Sequence, residues 1–356
     1  MLGLLLPNSL RYSQYAFKYS EILEEFGVEH EFVFWNRDGY SLNCGRFISF
    51  NKQMEDFLPI WKKMPAYLEY ANFINRTIRD RAYDGLIVFT SQLAVMLMPT
   101  LLNSYKGKYI FDYRDVSREG FLPYKSAVRK IASGSWFTAV SSPAFRNVIG
   151  LDCSPYVISH NERRISCELH QKSPSDEGLI RVAYWGIIRQ PSFNQLICQR
   201  FGSDRRFSLV YHGSGCIKEL EDFCSDNDYR NIQFTGVYDE HSINTFVKTT
   251  DLLLNAYDND VVQKPAYTVK YYDSLRYGIP MLVTEGCAMA ESVQAKKLGM
   301  AVNWDDPCCM DSIYQFYMNL NRNMYLRERN IEVERIKADD EIFKTELKKF
   351  IFPIEK

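Results

Sequence analysis

The run Thr250–Gly286, TDLLLNAYDNDVVQKPAYTVKYYDSLRYGIPMLVTEG, decides the fold. Leu252–Leu254 is short and uniformly apolar and reads as a buried strand. A polar loop follows, then a short helix over Thr268–Tyr277 that Gly278 ends, and Pro280 opens a second buried strand running to Thr284. Strand, loop, helix and strand in that order make one step of a parallel α/β sheet. Lys270 and Asp273 stand three apart near the helix start, on neighbouring faces of one turn. The ammonium supplies positive charge to an anion, and the carboxylate accepts hydrogen bonds from hydroxyls. A cation and a hydroxyl acceptor at a helix start, beside the carboxyl end of a strand, suit a nucleotide that carries both phosphate and sugar.

The same alternation extends to both sides. Leu2–Leu6 reads as a first strand, Tyr12–Phe26 as a helix ended by Gly27, and Glu31–Trp35 as the returning strand. Gly85–Phe89, Lys108–Phe111, Trp136–Val140 and Tyr156–Ser159 supply four more strands by the same pattern. The stretch Arg163–Gly178, RRISCELHQKSPSDEG, is polar, aperiodic and interrupted by Pro174, which marks it as an interdomain linker. Strands resume at Ile180–Tyr184, Phe207–Tyr211, Ile232–Phe234, Leu252–Leu254 and Met281–Thr284, and the charged stretch Asp311–Phe350 reads as helices. Two successive α/β domains are therefore expected, over 1–163 and 164–339.

Bulk properties narrow the function. A chain of 356 residues holds two domains of ordinary size, and a net charge of -1 lacks the basic excess of a nucleic-acid binder. The nine cysteines have no paired zinc-type spacing and suit a reduced, cytosolic protein. Leu2–Leu6 is too short for a secretory signal, lacks a basic flank and stops at Pro7, and no apolar run approaches a membrane span. The expected location is cytoplasmic, with peripheral contact at the inner face of the membrane left open. No G-x-G-x-x-G follows Leu2–Leu6 or Ile180–Tyr184, which argues against a nicotinamide dehydrogenase.

The stretch around Lys270 resembles the pattern "P-x-K-x-x-E-Y-x-A-x-G-x-P-V" of the nucleotide-sugar-dependent glycosyltransferases of GT-B type, the large retaining group that builds polysaccharides and glycolipids. Here it stands as Thr268, Lys270, Asp273, Ser274, Leu275, Gly278 and Pro280. The resemblance implies an α/β, GT-B architecture: two Rossmann-like parallel-sheet domains facing a cleft, with the last helix, about 340–356, packing back on the first domain. It assigns Lys270 to the donor diphosphate and Asp273 to the ribose. Arg189, in VAYWGIIRQ, matches the family's "G-x-x-R"; a guanidinium there binds a diphosphate and offsets charge on the leaving nucleotide. Gly186 lets the backbone approach. FTGVYD resembles the turn that frames the base through Gly236, Val237 and Tyr238, and YHGSG, from Tyr211, the "G-x-G" turn.

The chain also departs from the family. A glutamate that much of the family places eight positions before the ribose-binding residue is Pro265 here, so the donor-sugar contact is expected from Asp258, Asp260 or Gln263. The first turn, PNSLRYSQ, has Ser9 and Arg11 in place of two glycines. In FDYRDVSRE, which resembles "D-x-R-D-x-W" of glycan-assembly enzymes, Asp112 and Arg114 are acceptor-binding candidates and Asp115 a carboxylate to help deprotonate the acceptor hydroxyl. A structural Arg–Asp pair at a strand end is the alternative. Asn161, in VISHNE, matches "P-N-G", and His160 beside it reads as structural.

Two D-x-D pairs occur, Asp226 with Asp228 and Asp258 with Asp260, but the resemblance implies metal-independent transfer without a cofactor, Lys270 and Arg189 neutralising the diphosphate. The implied partners are a nucleotide sugar and a glycan or lipid-linked acceptor; the oligomeric state has no signature. Met54–Arg81 and Phe121–Lys130 interleave aromatics with Lys and Arg, fitting either an anionic membrane surface or a core-facing stripe with a solvated basic face. The readings to separate are a hexosyl transferase of surface polysaccharide assembly, a nucleotide-sugar epimerase on the same fold, and a non-catalytic binding protein derived from it.

Overall fold

The computed structural model describes residues 1–37, 39, 45–54, 60–150, 155–161, 178–239, 242–258 and 264–353. The chain divides into two compact units, Met1–Arg163 with Ala338–Lys356, and Arg164–Lys337. Most of the expected linker lies outside the described residues.

The first unit is built on β1 (Leu2–Leu5), β2 (His30–Asn36), β3 (Phe47–Asn51), β4 (Gly85–Phe89), β5 (Tyr109–Tyr113), β6 (Thr138–Val140) and β7 (Tyr156–Ile158), in the order β3-β2-β1-β4-β5-β6-β7. Every pairing is parallel. Strands buried on both faces need near-continuous apolar runs, which is why β1, β4 and β5 were legible as such. β3 was not expected: its residues FISFN lie at the sheet edge and are only half-buried.

The second unit carries β8 (Ile180–Ile188), β9 (Phe207–Gly215), β10 (Ile232–Gly236), β11 (Leu252–Asn255), β12 (Met281–Thr284) and β13 (Gly299–Val302), in the order β10-β9-β8-β11-β12-β13, again all parallel. The sequence reading missed only the edge strand β13. In each unit the strand order reverses once, between β1 and β4 in the first and between β8 and β11 in the second. Ligands of open α/β sheets bind outside the carboxyl ends of the strands at such a reversal.

The helix Arg322–Ile351 serves both cores. Tyr325, Val333 and Ile336 pack into the second unit, and Phe343, Leu347 and Phe350 into the first beside Leu4, Phe32 and Ile110. Burying each such side chain is worth roughly 1.5–3 kcal/mol. In the first unit two ionic contacts also fix its end: Lys18 Nζ lies 2.5 Å from Asp340, and His160 Nε2 lies 2.9 Å from Asp339.

Candidate functional site

The reversal between β8 and β11 gathers Gly186, Arg189, Asp258, Lys270 and Asp273. Thr268 stands at the N-cap of the helix Val269–Tyr277, and its hydroxyl donates 2.7 Å to Asn255 Oδ1 at the end of β11, which fixes the helix start against that strand. Lys270, in the first turn, is buried. Its Nζ donates 2.8 Å to the phenol oxygen of Tyr257 and lies 4.1 Å from the centre of the Tyr184 ring. Gly186 faces it: a Cβ there would stand at an ordinary contact of 3.5 Å from the ammonium, and φ 126°, rather than space, favours glycine. Among the described residues no carboxylate pairs with Lys270. A buried cation held by two phenol rings and no anion is only partly compensated, and an anionic ligand would complete it.

Hydrogen-bond directions follow from the partners. The Tyr184 hydroxyl donates 2.7 Å to the Ile187 carbonyl and stands 3.1 Å from the Tyr257 hydroxyl. A neutral Tyr257 therefore accepts from Lys270 and donates to Tyr184. Burial pushes the Tyr257 phenol up, but the Lys270 ammonium and its hydrogen bond, the Tyr184 hydroxyl (which turns to donate once Tyr257 has lost its proton) and the Arg189 guanidinium outweigh it and leave the pKa below the ordinary phenol value. Burial and the neighbouring Tyr257 raise Tyr184. Lys270 and Arg189 thus act on the same phenol, and Arg189 itself is exposed just past the end of β8.

Asp273 lies one turn on, buried, and accepts a 2.8 Å hydrogen bond from the indole Nε1 of Trp185 on β8. The carboxylate expected to meet the ribose is thus already anchored by a partner the sequence reading did not name. Asp258 is exposed, and the Gln190 side chain holds it by accepting from its N–H at 2.9 Å and donating to its carbonyl at 3.3 Å. This clamp joins the loops after β8 and β11. Asp260 and Gln263, the other donor-sugar candidates, lie outside the described residues.

Close backbone approach is built into β8 and β9. A Cβ on Gly213 would meet the Gly186 carbonyl oxygen at 1.8 Å, and one on Gly215 the Ile188 oxygen at 2.0 Å. Gly213 and Gly215 also hold φ values of 145° and 117°, open to glycine alone. Gly236 ends β10 with φ 77°, Val237 is 82% exposed, and Tyr238 packs edge-on against Phe246. That turn is two strands from β8, so at about 4.8 Å per strand it stands roughly 10 Å from Gly186, a distance a nucleoside diphosphate spans.

In the first unit the structure favours the structural Arg–Asp pair, one of the two readings open for this stretch. Asp112 and Arg114 were acceptor-binding candidates, but both are buried and engaged with one another, Nε lying 2.7 Å from Oδ1. Arg114 also donates to Ser159 Oγ at 2.8 Å and Asn161 Oδ1 at 2.7 Å, and Tyr19 donates to Asp112 Oδ2 at 2.5 Å. The pair ties the end of β5 to β7 and to the helix Tyr15–Glu25. Burial raises the Asp112 pKa despite the Arg114 guanidinium. Asp115 is exposed. His160, buried against Asp339, is lowered by burial and serves the fold. Thr90, at the carboxyl end of β4, was not anticipated: this β-branched residue has φ 69°, its N–H donates 2.8 Å to the Asp112 carbonyl, and its hydroxyl is buried.

No group of three His, Cys, Asp or Glu among the described residues is placed to hold a metal ion. Of the D-x-D candidates, Asp228 lies in a turn and pairs with Arg230 at 2.8 Å.

Two parallel, Rossmann-like units with these reversal points define the fold as the GT-B type. No protein-family model matches the chain, and no curated protein matches it either. Among solved structures it is similar to sucrose-phosphate synthase from Thermosynechococcus elongatus, with TM-score 0.70, 10% identity and 98% of each chain covered. It is similar also to Anabaena HepE in complex with UDP, with TM-score 0.69, 12% identity, and 97% of this chain and 99% of that one covered. The lipopolysaccharide outer core galactosyltransferase WaaB, in its apo form, gives TM-score 0.63 at 12% identity over 99% of both chains.

Proposed function

We propose that this protein is a glycosyltransferase that moves a hexose-type sugar from a nucleoside diphosphate donor to a glycan or lipid-linked acceptor, in the assembly of surface polysaccharide. The observation that carries the reading is Lys270: a buried ammonium that no carboxylate among the described residues pairs with, at the strand-order reversal of a unit whose fold is shared with a UDP-bound protein. Lys270 and Arg189 hold the diphosphate, Gly186 lets it approach, Asp273 takes the ribose hydroxyls, and Gly236, Val237 and Tyr238 frame the base. Asp258 is the described candidate for the donor sugar. In the transfer, the bond from the anomeric carbon to the donor phosphate oxygen breaks and the diphosphate leaves with the electron pair. The acceptor oxygen bonds to that carbon and gives up its proton, with Asp115 as the carboxylate to take it. Charge on the leaving diphosphate falls on Lys270 and Arg189, so we propose metal-independent transfer, with retention of configuration as the family expectation.

No helix among the described residues is long and apolar enough to cross a membrane. We place the enzyme in the cytoplasm with a peripheral membrane contact. The helix Ile60–Arg81 buries Tyr67 and Tyr70 but exposes Trp61, Met64 and Leu68, spaced three and four apart beside Lys62 and Lys63. An apolar stripe flanked by lysines suits an anionic lipid surface.

The test is release of nucleoside diphosphate from UDP-glucose, UDP-galactose, UDP-N-acetylglucosamine and GDP-mannose, with and without short glycan and lipid-linked acceptors. The reading expects one donor to be consumed in an acceptor-dependent way, and Lys270→Ala to abolish it. Donor consumption that ignores the acceptor, or that survives Lys270→Ala, contradicts it.

A further inference from the structure

We propose that Tyr257 is the positioning residue of the anion site: its phenol aims the Lys270 ammonium at the donor diphosphate. The inference rests on the donor reading given above and adds a residue that the family pattern around Lys270 does not contain.

While Tyr257 is neutral, the hydrogen bonds form a relay with one set of directions. The Tyr184 proton is committed to the Ile187 carbonyl at 2.7 Å, so the Tyr257 proton is turned toward Tyr184, 3.1 Å away. That leaves lone pairs on the Tyr257 oxygen for the lysine, which donates at 2.8 Å. An ammonium has three N–H donors, and Tyr257 engages one of them. With the Tyr184 ring 4.1 Å away on one side and the Gly186 backbone on another, the remaining donors have no hydrogen-bond partner among the described residues and can meet phosphate oxygens. Tyr257 is held in turn by its own backbone N–H, which donates 3.2 Å to Thr284 Oγ1. A flexible four-carbon lysine stem without this partner would lose rotamer freedom only on binding, which weakens affinity.

Ionisation of Tyr257 would close the site electrostatically. The charged and titratable groups around the phenol are Lys270 from its helix, Arg189 and Tyr184 from the end of β8, and Asp258 next along the chain. Cys287 lines the same small cavity as Tyr257 at the start of the next helix. The two cations favour a phenolate at lower pH than an ordinary phenol requires, consistent with the lowered pKa described for Tyr257. A phenolate 2.8 Å from the ammonium would neutralise the charge the diphosphate needs.

The test uses the intact protein, its Tyr257→Phe and Lys270→Met variants, inorganic pyrophosphate, and UDP, GDP, CDP, ADP and TDP. Binding is measured by calorimetry across pH, and phenolate formation by ultraviolet difference absorbance. The proposal expects one phenol to ionise below the ordinary value, to vanish in Tyr257→Phe and to move up in Lys270→Met. It expects Tyr257→Phe to weaken binding of the preferred diphosphate roughly tenfold near neutral pH, the loss of one charge-assisted hydrogen bond. Wild-type affinity should then fall as the phenol ionises, while Tyr257→Phe stays level over that range. If wild type binds a diphosphate and Tyr257→Phe binds it equally well at every pH, the positioning role is overturned and the donor reading stands. If wild type binds none of the probes, both fall together.

Discussion

Acidification offers a sharp test of how β9 of the second unit is built. His212, on β9 beside Gly213, is buried, its Nδ1 lies 2.7 Å from Thr235 Oγ1, and its ring stacks on Phe246 with centroids 3.5 Å apart. Burial lowers its pKa from the ordinary 6.5 to about 4. The sign follows directly. Between these values the unfolded chain binds a proton that the folded chain refuses, so stability is lost as pH falls through 6.5 toward 4. At 1.36 kcal/mol per pKa unit, the full effect of this one histidine is about 3 kcal/mol. The assay compares urea unfolding of wild type and His212→Gln from pH 7 to pH 4, with the histidine resonance followed by NMR. The difference between the two stability profiles should be flat above pH 7 and open by about 3 kcal/mol on the acid side, wild type falling faster. A resonance titrating near 6.5, or parallel profiles, would refute the reasoning.

Further outcomes follow from the same unit. Gly213→Ala would drive a Cβ to 1.8 Å from the Gly186 carbonyl at φ 145°, so it should destabilise by about 4 kcal/mol or more and lower the urea midpoint accordingly. Arg329, buried, donates Nη2 to the Arg276 carbonyl at 2.9 Å and Nε to that of Leu275, closing the end of the helix Val269–Tyr277. Arg329→Met should cost roughly 2–4 kcal/mol by stranding those carbonyls, and Arg329→Lys should recover only part, because an ammonium lacks the guanidinium fork. Thermal unfolding that ranks the lysine variant equal to wild type would contradict this role.

The sheet was legible because β1, β4, β5, β8, β11 and β12 sit inside their sheets and must be apolar on both faces. β3 and β13 stand at the edges, where FISFN and GMAV carry only partial burial and no clear period. The candidate site was legible where a local pattern encodes it. Lys270 and Asp273 announce themselves because helix start, glycine and proline surround them. Tyr257 does not, since it lies thirteen residues before Lys270 in a polar loop and the two meet only through the crossing from β11 to its helix. Trp185 reaches Asp273 across 88 residues, a contact the β8–β11 neighbourhood alone creates. Asp112 and Arg114 misled for a related reason. Their i, i+2 spacing says that they share a face of the chain, but the burial that commits them to each other comes from Tyr19, Ser159 and Asn161, distant in sequence.

The central claim, a nucleoside diphosphate held by Lys270, is tested most directly by thermal shift of wild type and Lys270→Ala with UDP, GDP, CDP, ADP and TDP. A ligand present at about 100 times its dissociation constant adds roughly 2.7 kcal/mol of stability. The account predicts that one nucleotide stabilises the wild type by about that amount and that Lys270→Ala, folded and otherwise equally stable, does not respond. A wild type indifferent to every nucleotide, or a variant that responds as wild type does, would contradict it.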